Sequence, residues 1–296
     1  MNVRLSGVFP PIPTPFTPAG EIAHQQLREN LERWNGFELS GYVVLGSNGE
    51  AAYLSESEKL RVLETARQAI PPDKLLIAGT GCESTRQTIA LTKQAAELGA
   101  TVALVVTPHF FAGKMTPASL TAHFQAVADA APIPVLIYNV PKFTHVDIDA
   151  PTIATLAQHP NIVGIKDSGG NVAKLADVLR QADPDFQYLA GSAGFFLAAL
   201  TLGAVGGVLA LANVAPQQAI DIYRLSGAGQ LEPAVELQRR MVPVNDAVTA
   251  RFGIAGLKGA LDYLGFYGGP VRAPLLDLTD DEREMLQEIL KGGGIL

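Results

Sequence analysis

The 296-residue sequence has a single cysteine and no long apolar run, and each of these shortages excludes a class of protein. Cys82 alone cannot form an internal disulfide, and no cysteine cluster exists to hold zinc, so we expect a reducing compartment. No apolar run reaches the ~20 residues that span a bilayer. Residues 1–10 contain one arginine and no long apolar stretch, which is unlike a secretory signal. These observations predict a cytoplasmic protein without a membrane partner.

Positive charge is also scarce, because the 22 Lys and Arg residues are outnumbered by 29 Asp and Glu residues, which gives a net charge of −7. A net acidic chain without a basic run is a poor ligand for polyanions, so no nucleic-acid partner is expected. The five histidines have no acidic residues clustered with them at the spacing of metal ligands. We therefore expect no bound metal.

Eight short apolar runs, each bounded by Gly or Pro, are typical of buried parallel strands. They begin near Val8, Tyr42, Leu75, Val102, Pro134, Ile162, Phe186 and Val205. The spacing between successive runs suits one strand and one crossover helix each time. Helical periodicity fills several of the gaps, at residues 84–98, 120–130 and 172–182, and Ser55 with Glu58 has the spacing of a capping box.

Eight strand–helix units are the number that closes an α/β fold into a (β/α)8 TIM barrel. The alternative is a doubly wound open sheet, which usually has a Gly-rich turn after its first strand. Pro13-Thr14-Pro15-Phe16 follows the first strand here, so we favour the barrel.

The strand pattern stops after Val214, and residues 216–226, 231–264 and 279–290 have the pattern of helices. We therefore predict a C-terminal helical extension, with a catalytic barrel domain over residues 1–220 and a helical subdomain over residues 221–296. The glycines at residues 292–294 predict a frayed tail.

In a TIM barrel the chemistry occurs at the carboxyl ends of the strands, where Lys166 and Tyr138 stand out. Lys166 ends an apolar strand, where desolvation disfavours its charged form and a neutral amine can attack a carbonyl to form a Schiff base. The alternative is a structural lysine paired with Asp167. Tyr138 ends the preceding strand and can carry a proton, or can simply donate its hydroxyl to a backbone carbonyl.

Two glycine-containing loops are weaker candidates for binding sites. Residues 46–50 follow the second strand, and their backbone N–H groups can form a nest for a carboxylate or phosphate. Gly191, after the seventh strand, lies where some barrels bind phosphate. For either loop taken alone, an ordinary turn is the better explanation.

Three sequence segments together resemble the dihydrodipicolinate synthase / N-acetylneuraminate lyase family. They are Gly46-Ser47-Asn48-Gly49-Glu50, Tyr138-Asn139-Val140-Pro141 and Gly164-Ile165-Lys166-Asp167-Ser168. Further stretches at residues 81–85, 158–164, 189–195 and 268–275 are most similar to the 4-hydroxy-2-oxoglutarate aldolase branch of that family. The resemblance covers nearly the whole chain, and it implies a pyruvate-handling class I enzyme with a (β/α)8 barrel.

The resemblance also implies roles for individual residues. Lys166 would form the imine with pyruvate, and Tyr138 would act as the general acid and base. Ser47 and Asn48 would hold the pyruvate carboxylate, while Ser168 and Gly191 would line the same pocket. The family further implies no metal or organic cofactor, a small aldehyde or oxo acid as the second substrate, and a homotetramer built as a dimer of dimers.

Two substrate-site positions depart from the family pattern. Phe110 stands where the family usually has a tyrosine that reaches into the neighbouring subunit's site, so a proton relay through that residue would be broken. His109 or water is a possible substitute. Phe143 stands where dihydrodipicolinate synthases place an arginine that grips the carboxylate of their second substrate.

The sequence thus predicts a Schiff-base, pyruvate-dependent aldolase or lyase, with 4-hydroxy-2-oxoglutarate cleavage to pyruvate and glyoxylate as the first candidate reaction. The alternatives within the family are dihydrodipicolinate synthase, which uses pyruvate and aspartate semialdehyde, and a sugar-acid lyase or dehydratase. Outside that class, the alternatives are a phosphate- or flavin-binding barrel oxidoreductase and a non-catalytic paralogue that binds a keto acid.

Overall fold

The computed structural model describes residues 3–296, in which eight parallel strands form one curved sheet in the order β1-β8-β7-β6-β5-β4-β3-β2. The strands are β1 (Gly7–Phe9), β2 (Gly41–Val44), β3 (Leu75–Gly79), β4 (Val102–Val106), β5 (Val135–Asn139), β6 (Ile162–Asp167), β7 (Gln187–Ala190) and β8 (Gly206–Val208). Every strand predicted from the sequence is present and begins within two residues of its predicted start.

The two ends of the sheet meet between β1 and β2. The carbonyl of Val8 accepts from the N–H of Ser40 at 3.1 Å, and the carbonyl of Pro10 accepts from Val43 at 3.0 Å. Pro11 also forms a parallel bridge with Val43. The sheet is therefore a nearly closed (β/α)8 barrel, and the predicted fold is confirmed.

Twelve α-helices surround the barrel and extend it within the described residues. They are α1 (His24–Trp34), α2 (Glu56–Ala69), α3 (Thr85–Glu97), α4 (Pro117–Ala130), α5 (Pro141–Thr144), α6 (Ala150–Leu156), α7 (Val172–Gln181), α8 (Phe196–Thr201), α9 (Pro216–Gly227), α10 (Leu231–Asp246), α11 (Gly253–Tyr263) and α12 (Asp280–Gly292). The predicted capping box is present at α2, where Ser55 and Glu58 bond to each other's backbone N–H groups. No helix among residues 3–296 is long and apolar enough to cross a bilayer.

Side chains alternate between the two faces of the barrel wall, because successive residues of a strand point to opposite sides. One buried cluster fills the barrel interior and consists of Leu5, Phe9, Val43, Ile77, Val102, Leu104, Leu136, Tyr138, Val140, Leu189 and Val208. The residues between these, such as Val105 and Ile137, belong to a second and larger cluster that packs the strands against the helices. This alternation decides which strand-end residues face the barrel mouth.

The C-terminal helical extension differs from its prediction in two places. Residues 231–264 do not form one helix, since a π-helical turn (Ala247–Arg251) separates α10 from α11 and Gly253 has a φ of +59°, which no uninterrupted helix contains. The expected frayed tail is wrong. Gly293 donates to the carbonyl of Ile289 at 3.0 Å, and Ile295 donates to Leu290 at 2.9 Å and packs against the core. The division into two domains stays a prediction, and residue 220 lies within α9.

Candidate active site

Lys166 and Tyr138 lie side by side at the carboxyl ends of β6 and β5. The two residues are partners in the strand register, and Leu189 of β7 is the next partner along the sheet. Both side chains are buried, and the Lys166 Nζ lies 3.8 Å from the centroid of the Tyr138 ring. The structure therefore brings the two residues predicted to carry the chemistry into direct contact.

Lys166 and Asp167 are neighbours in sequence but face opposite sides of the barrel wall. Lys166 shares its register position with Tyr138, which belongs to the interior cluster. Asp167 shares its position with Asn139 and so faces the helices. The alternative of a Lys166–Asp167 ion pair is wrong, because strand alternation separates the two side chains.

Asp167 finds its partners on the outer side of the wall. Its buried carboxylate accepts from the Tyr188 hydroxyl at 2.9 Å, the Asn139 amide at 2.9 Å and the Gly169 N–H at 2.7 Å. The ammonium of Lys174 lies 3.0 Å away and balances its charge. Burial raises the pKa of Tyr188, and the neighbouring Asp167 charge raises it further, so the phenol remains a proton donor to the carboxylate.

Ser47 connects the loop after β2 to the catalytic pair. It begins a short 3₁₀ turn (Ser47–Gly49), and its Oγ lies 3.2 Å from the Tyr138 hydroxyl. Tyr138 therefore meets another hydroxyl, and its expected alternative partner, a backbone carbonyl, is not the contact observed. Thr14 fixes the far end of the turn by donating to the carbonyl of Gly49 at 2.7 Å.

Asn48 carries a buried donor in the same turn. Its Nδ2 is shielded from solvent and has no hydrogen-bond partner among residues 3–296. Most buried side-chain polar atoms are hydrogen-bonded, so this amide is a donor that remains available to an oxygen atom of a ligand. The first N–H groups of a helical turn also lack partners within the turn. The loop is therefore suited to an anionic ligand group.

Ser168 and Gly191 lie together beside the β6 strand end. The Ser168 Oγ donates to the carbonyl of Gly191 at 3.3 Å, and the Gly191 N–H donates to the carbonyl of Asp167 at 2.8 Å. A Cβ atom at residue 191 would lie 2.1 Å from the Ser168 Oγ, so the position needs glycine for close packing.

Phe110 and Phe143 lie on the rim of the barrel mouth, outside the buried pair of Lys166 and Tyr138. Phe110 is 77% exposed and packs edge-on against Phe111, with ring centroids 5.0 Å apart. Phe143 is 54% exposed, on the short helix α5. Their predicted roles in substrate binding stay predictions. The Nδ1 of His109 lies 2.9 Å from the Glu83 carboxylate, so that histidine already has a polar partner.

Sequence reasoning missed two charged partners near the site. Strand alternation and the position of α7 place Lys174 against Asp167. The sequence predicts this contact only when the strand register is already known. Lys258 contacts Glu50 at 2.6 Å from the far C-terminal extension, and no local pattern indicates this contact. Within residues 3–296 no three His, Cys, Asp or Glu side chains group closely enough to hold a metal ion.

Comparisons with known proteins identify the family of the chain. Residues 4–292 match the model of the Dihydrodipicolinate synthetase family. The chain is 35% identical over 285 residues to the 4-hydroxy-tetrahydrodipicolinate synthase of Methanothrix thermoacetophila, covering 96% of this chain and 95% of that protein.

Two solved structures are equally similar in shape. The dihydrodipicolinate synthase of Bacillus anthracis has a TM-score of 0.94 and 30% identity, with 98% of each chain covered. The chloride-inhibited dihydrodipicolinate synthase of Acinetobacter baumannii, complexed with pyruvate, has a TM-score of 0.94 and 31% identity, covering 99% of this chain and 100% of that one. The chain therefore belongs to the dihydrodipicolinate synthetase family and is a class I carbon–carbon lyase, of the kind that forms a lysine Schiff base with pyruvate.

Proposed function

We propose that this enzyme binds pyruvate as an imine on Lys166 and uses the imine to make or break a carbon–carbon bond with an aldehyde. The observation that carries the proposal is the position of the Lys166 amine. It is buried at the barrel mouth against Tyr138, while the adjacent carboxylate of Asp167 is paired with Lys174 on the other face. An amine free of an ion pair can act as a nucleophile.

The carboxylate of pyruvate would sit on the loop of residues 46–50. The free N–H groups that begin the turn, the Ser47 hydroxyl and the unpartnered Asn48 amide are all donors, as an anion requires. Binding there directs the keto carbon towards Lys166. The amine then attacks that carbon and water leaves. In condensation the iminium accepts the electrons of the C3–H bond, and in cleavage it accepts the electrons of the C3–C4 bond.

Tyr138 would carry the proton at the reacting oxygen of the aldehyde. In cleavage it takes the proton from the 4-hydroxyl group, and in condensation it returns a proton to the new alkoxide. Its hydroxyl contact with Ser47, at 3.2 Å, supplies the first link through which that proton can leave or arrive. Phe110 cannot extend this link, because a phenyl ring has no exchangeable proton.

Aspartate semialdehyde is the first candidate for the aldehyde. The support is the similarity to the 4-hydroxy-tetrahydrodipicolinate synthase of M. thermoacetophila and to solved dihydrodipicolinate synthases over nearly the full chain. The narrower prediction of 4-hydroxy-2-oxoglutarate cleavage stays a second candidate. Phe143 does not distinguish the two candidates, because aspartate semialdehyde and glyoxylate both carry a carboxylate with which an exposed phenyl ring cannot form an ion pair.

Two experiments test these assignments. Borohydride added with pyruvate should leave a permanent mass adduct on Lys166, and the Lys166→Met variant should leave none. An unchanged intact mass of the wild-type protein would refute the imine. A panel of aldehydes with coupled detection of pyruvate then identifies the second substrate. Pyruvate binding without turnover on every aldehyde would favour the non-catalytic paralogue.

The predicted homotetramer and cytoplasmic location remain proposals that follow from the family and from the cysteine content. Light scattering on the purified protein tests the first, since a tetramer has four times the chain mass of 31.2 kDa.

A further inference from the structure

A buried ion pair joins the proposed carboxylate-binding loop to the C-terminal extension. Lys258 of α11 and Glu50 have side chains that are 1% and 0% exposed, and Nζ lies 2.6 Å from Oε1. The same ammonium donates to the carbonyl of Pro270 at 2.8 Å and lies 4.3 Å from the centroid of the Phe16 ring.

Glu50 is tied at both its side chain and its backbone. Its Oε2 accepts from the backbone N–H of Arg272 at 2.8 Å, so both carboxylate oxygens are held by the C-terminal extension. Its own N–H donates to the carbonyl of Ser47 at 3.1 Å and closes the turn. Its φ of +54° is in the left-handed region that non-glycine residues rarely adopt, so the surroundings must hold this conformation in place.

A buried ion pair adds little net stability to a fold, because the desolvation of both charges offsets much of their attraction. Burial lowers the pKa of Lys258, and the Glu50 carboxylate opposes that effect. An apolar pair of the same volume often gives equal or greater stability, so the benefit of this pair must lie elsewhere. A charge pair does fix direction and distance, which is what a loop that presents donors to a ligand requires.

We propose that Glu50 and Lys258 are positioning residues that hold Ser47 and Asn48 in the conformation that binds the pyruvate carboxylate. This inference rests on the proposed function of Lys166 and of the loop. The pair acts through the turn and does not touch the reacting atoms. Its loss should weaken pyruvate binding while leaving the chemistry of the bound imine largely intact.

The decisive variant is Glu50→Gln, which keeps the side-chain volume and an acceptor for the Arg272 N–H but removes the charge. The measurement is the pyruvate concentration that gives half-maximal borohydride trapping on Lys166, together with KM for pyruvate and kcat. We expect a rise of roughly 10–100-fold in that concentration. The estimate follows the loss of affinity seen in metal sites when a residue that orients a metal ligand is replaced. The rate at saturating pyruvate should change little.

Lys258→Met and Lys258→Arg extend the test. The methionine variant removes the cation and should raise the half-maximal concentration like Glu50→Gln. The arginine variant keeps the cation and should raise it less. In the double variant Glu50→Gln with Lys258→Met, the increase should be smaller than the product of the two single increases, because the two residues act as one unit.

A stability control separates positioning from general destabilisation. Leu290 of α12 is buried far along the extension, and Leu290→Ala should lower the unfolding midpoint without changing the pyruvate dependence. A wild-type pyruvate dependence in folded Glu50→Gln, or in Lys258→Met if the first variant does not fold, would overturn the inference. Failure of the wild-type protein to trap pyruvate would instead overturn the proposed function.

Discussion

Asp167 pairs with Lys174 and not with Lys166, and this arrangement gives a quantitative prediction for the Asp167→Asn variant. The substitution keeps the side-chain volume but removes the negative charge. It also replaces one carboxylate oxygen with an amide NH2 group, which then faces other hydrogen-bond donors. The two oxygens accept from Tyr188 on one side and from Asn139 and Gly169 on the other, so either orientation of the amide leaves a conflict. Lys174 also loses one of its two carboxylates.

The magnitude follows from burial. Asp167 is 1% exposed, and breaking a buried ion pair by removing one partner costs about 3–5 kcal/mol. Lys174 retains Asp147 at 2.5 Å, which offsets part of the loss of charge balance. We therefore expect the lower end of the range, a decrease of about 3 kcal/mol in the free energy of unfolding.

Urea unfolding followed by the fluorescence of Trp34, the one tryptophan, measures this decrease. The matched control is Asp177→Asn on α7, because Asp177 pairs with Arg180 and its side chain is 45% exposed. A solvent-exposed pair of this kind contributes little to stability. Equal, small losses in the two variants would refute the buried pairing of Asp167.

The same variant has a second readout at the active site. Because Asp167 lies on the opposite face from Lys166, folded Asp167→Asn should still trap pyruvate on that lysine. Complete loss of trapping in a folded variant would mean that the carboxylate acts directly on the amine, contrary to the strand register.

Three further predictions test other parts of the arrangement. Tyr138→Phe should lower kcat by roughly 10²–10⁴-fold while borohydride still traps pyruvate, and an unchanged kcat would exclude the phenol as proton carrier. Steady-state kinetics of His109→Ala test the histidine substitute for the relay, and wild-type activity there would eliminate it. The Arg272 guanidinium lowers the pKa of Glu58 to about 2 from 4.5. The stabilisation from that pair is therefore complete above about pH 4.5 and is lost as the pH falls towards 2. The unfolding midpoints of wild type and Arg272→Met should converge over that range, and a constant difference would contradict the assignment.

Much of the architecture is local information and was predictable. Apolar runs of strand length, separated by helical periodicity, indicate parallel strands alternating with helices without reference to distant residues. Because parallel strands place their carboxyl ends on one rim, Lys166, Tyr138 and the loop at residues 46–50 were expected to converge. The contact of Tyr138 with both Lys166 and Ser47 agrees with that expectation.

Helix ends and charge partners were less predictable. The regular helical pattern of residues 231–264 hides the break at Gly253, whose φ of +59° lies outside the helical range and is not indicated by the periodicity. The glycine-rich end at residues 292–294 suggests disorder, yet Ile295 packs on the core and holds it in place.

The sequence by itself determined the eight strand segments, the helices between them and the residues at the strand ends, because these depend on periodicity along a continuous segment. Only the tertiary structure decided which charges meet. Asp167 pairs with Lys174 instead of its neighbour, and Glu50 pairs with Lys258 from a helix more than 200 residues away. Ion pairs depend on three-dimensional distance and on burial, and neither quantity is encoded in the local pattern of residues.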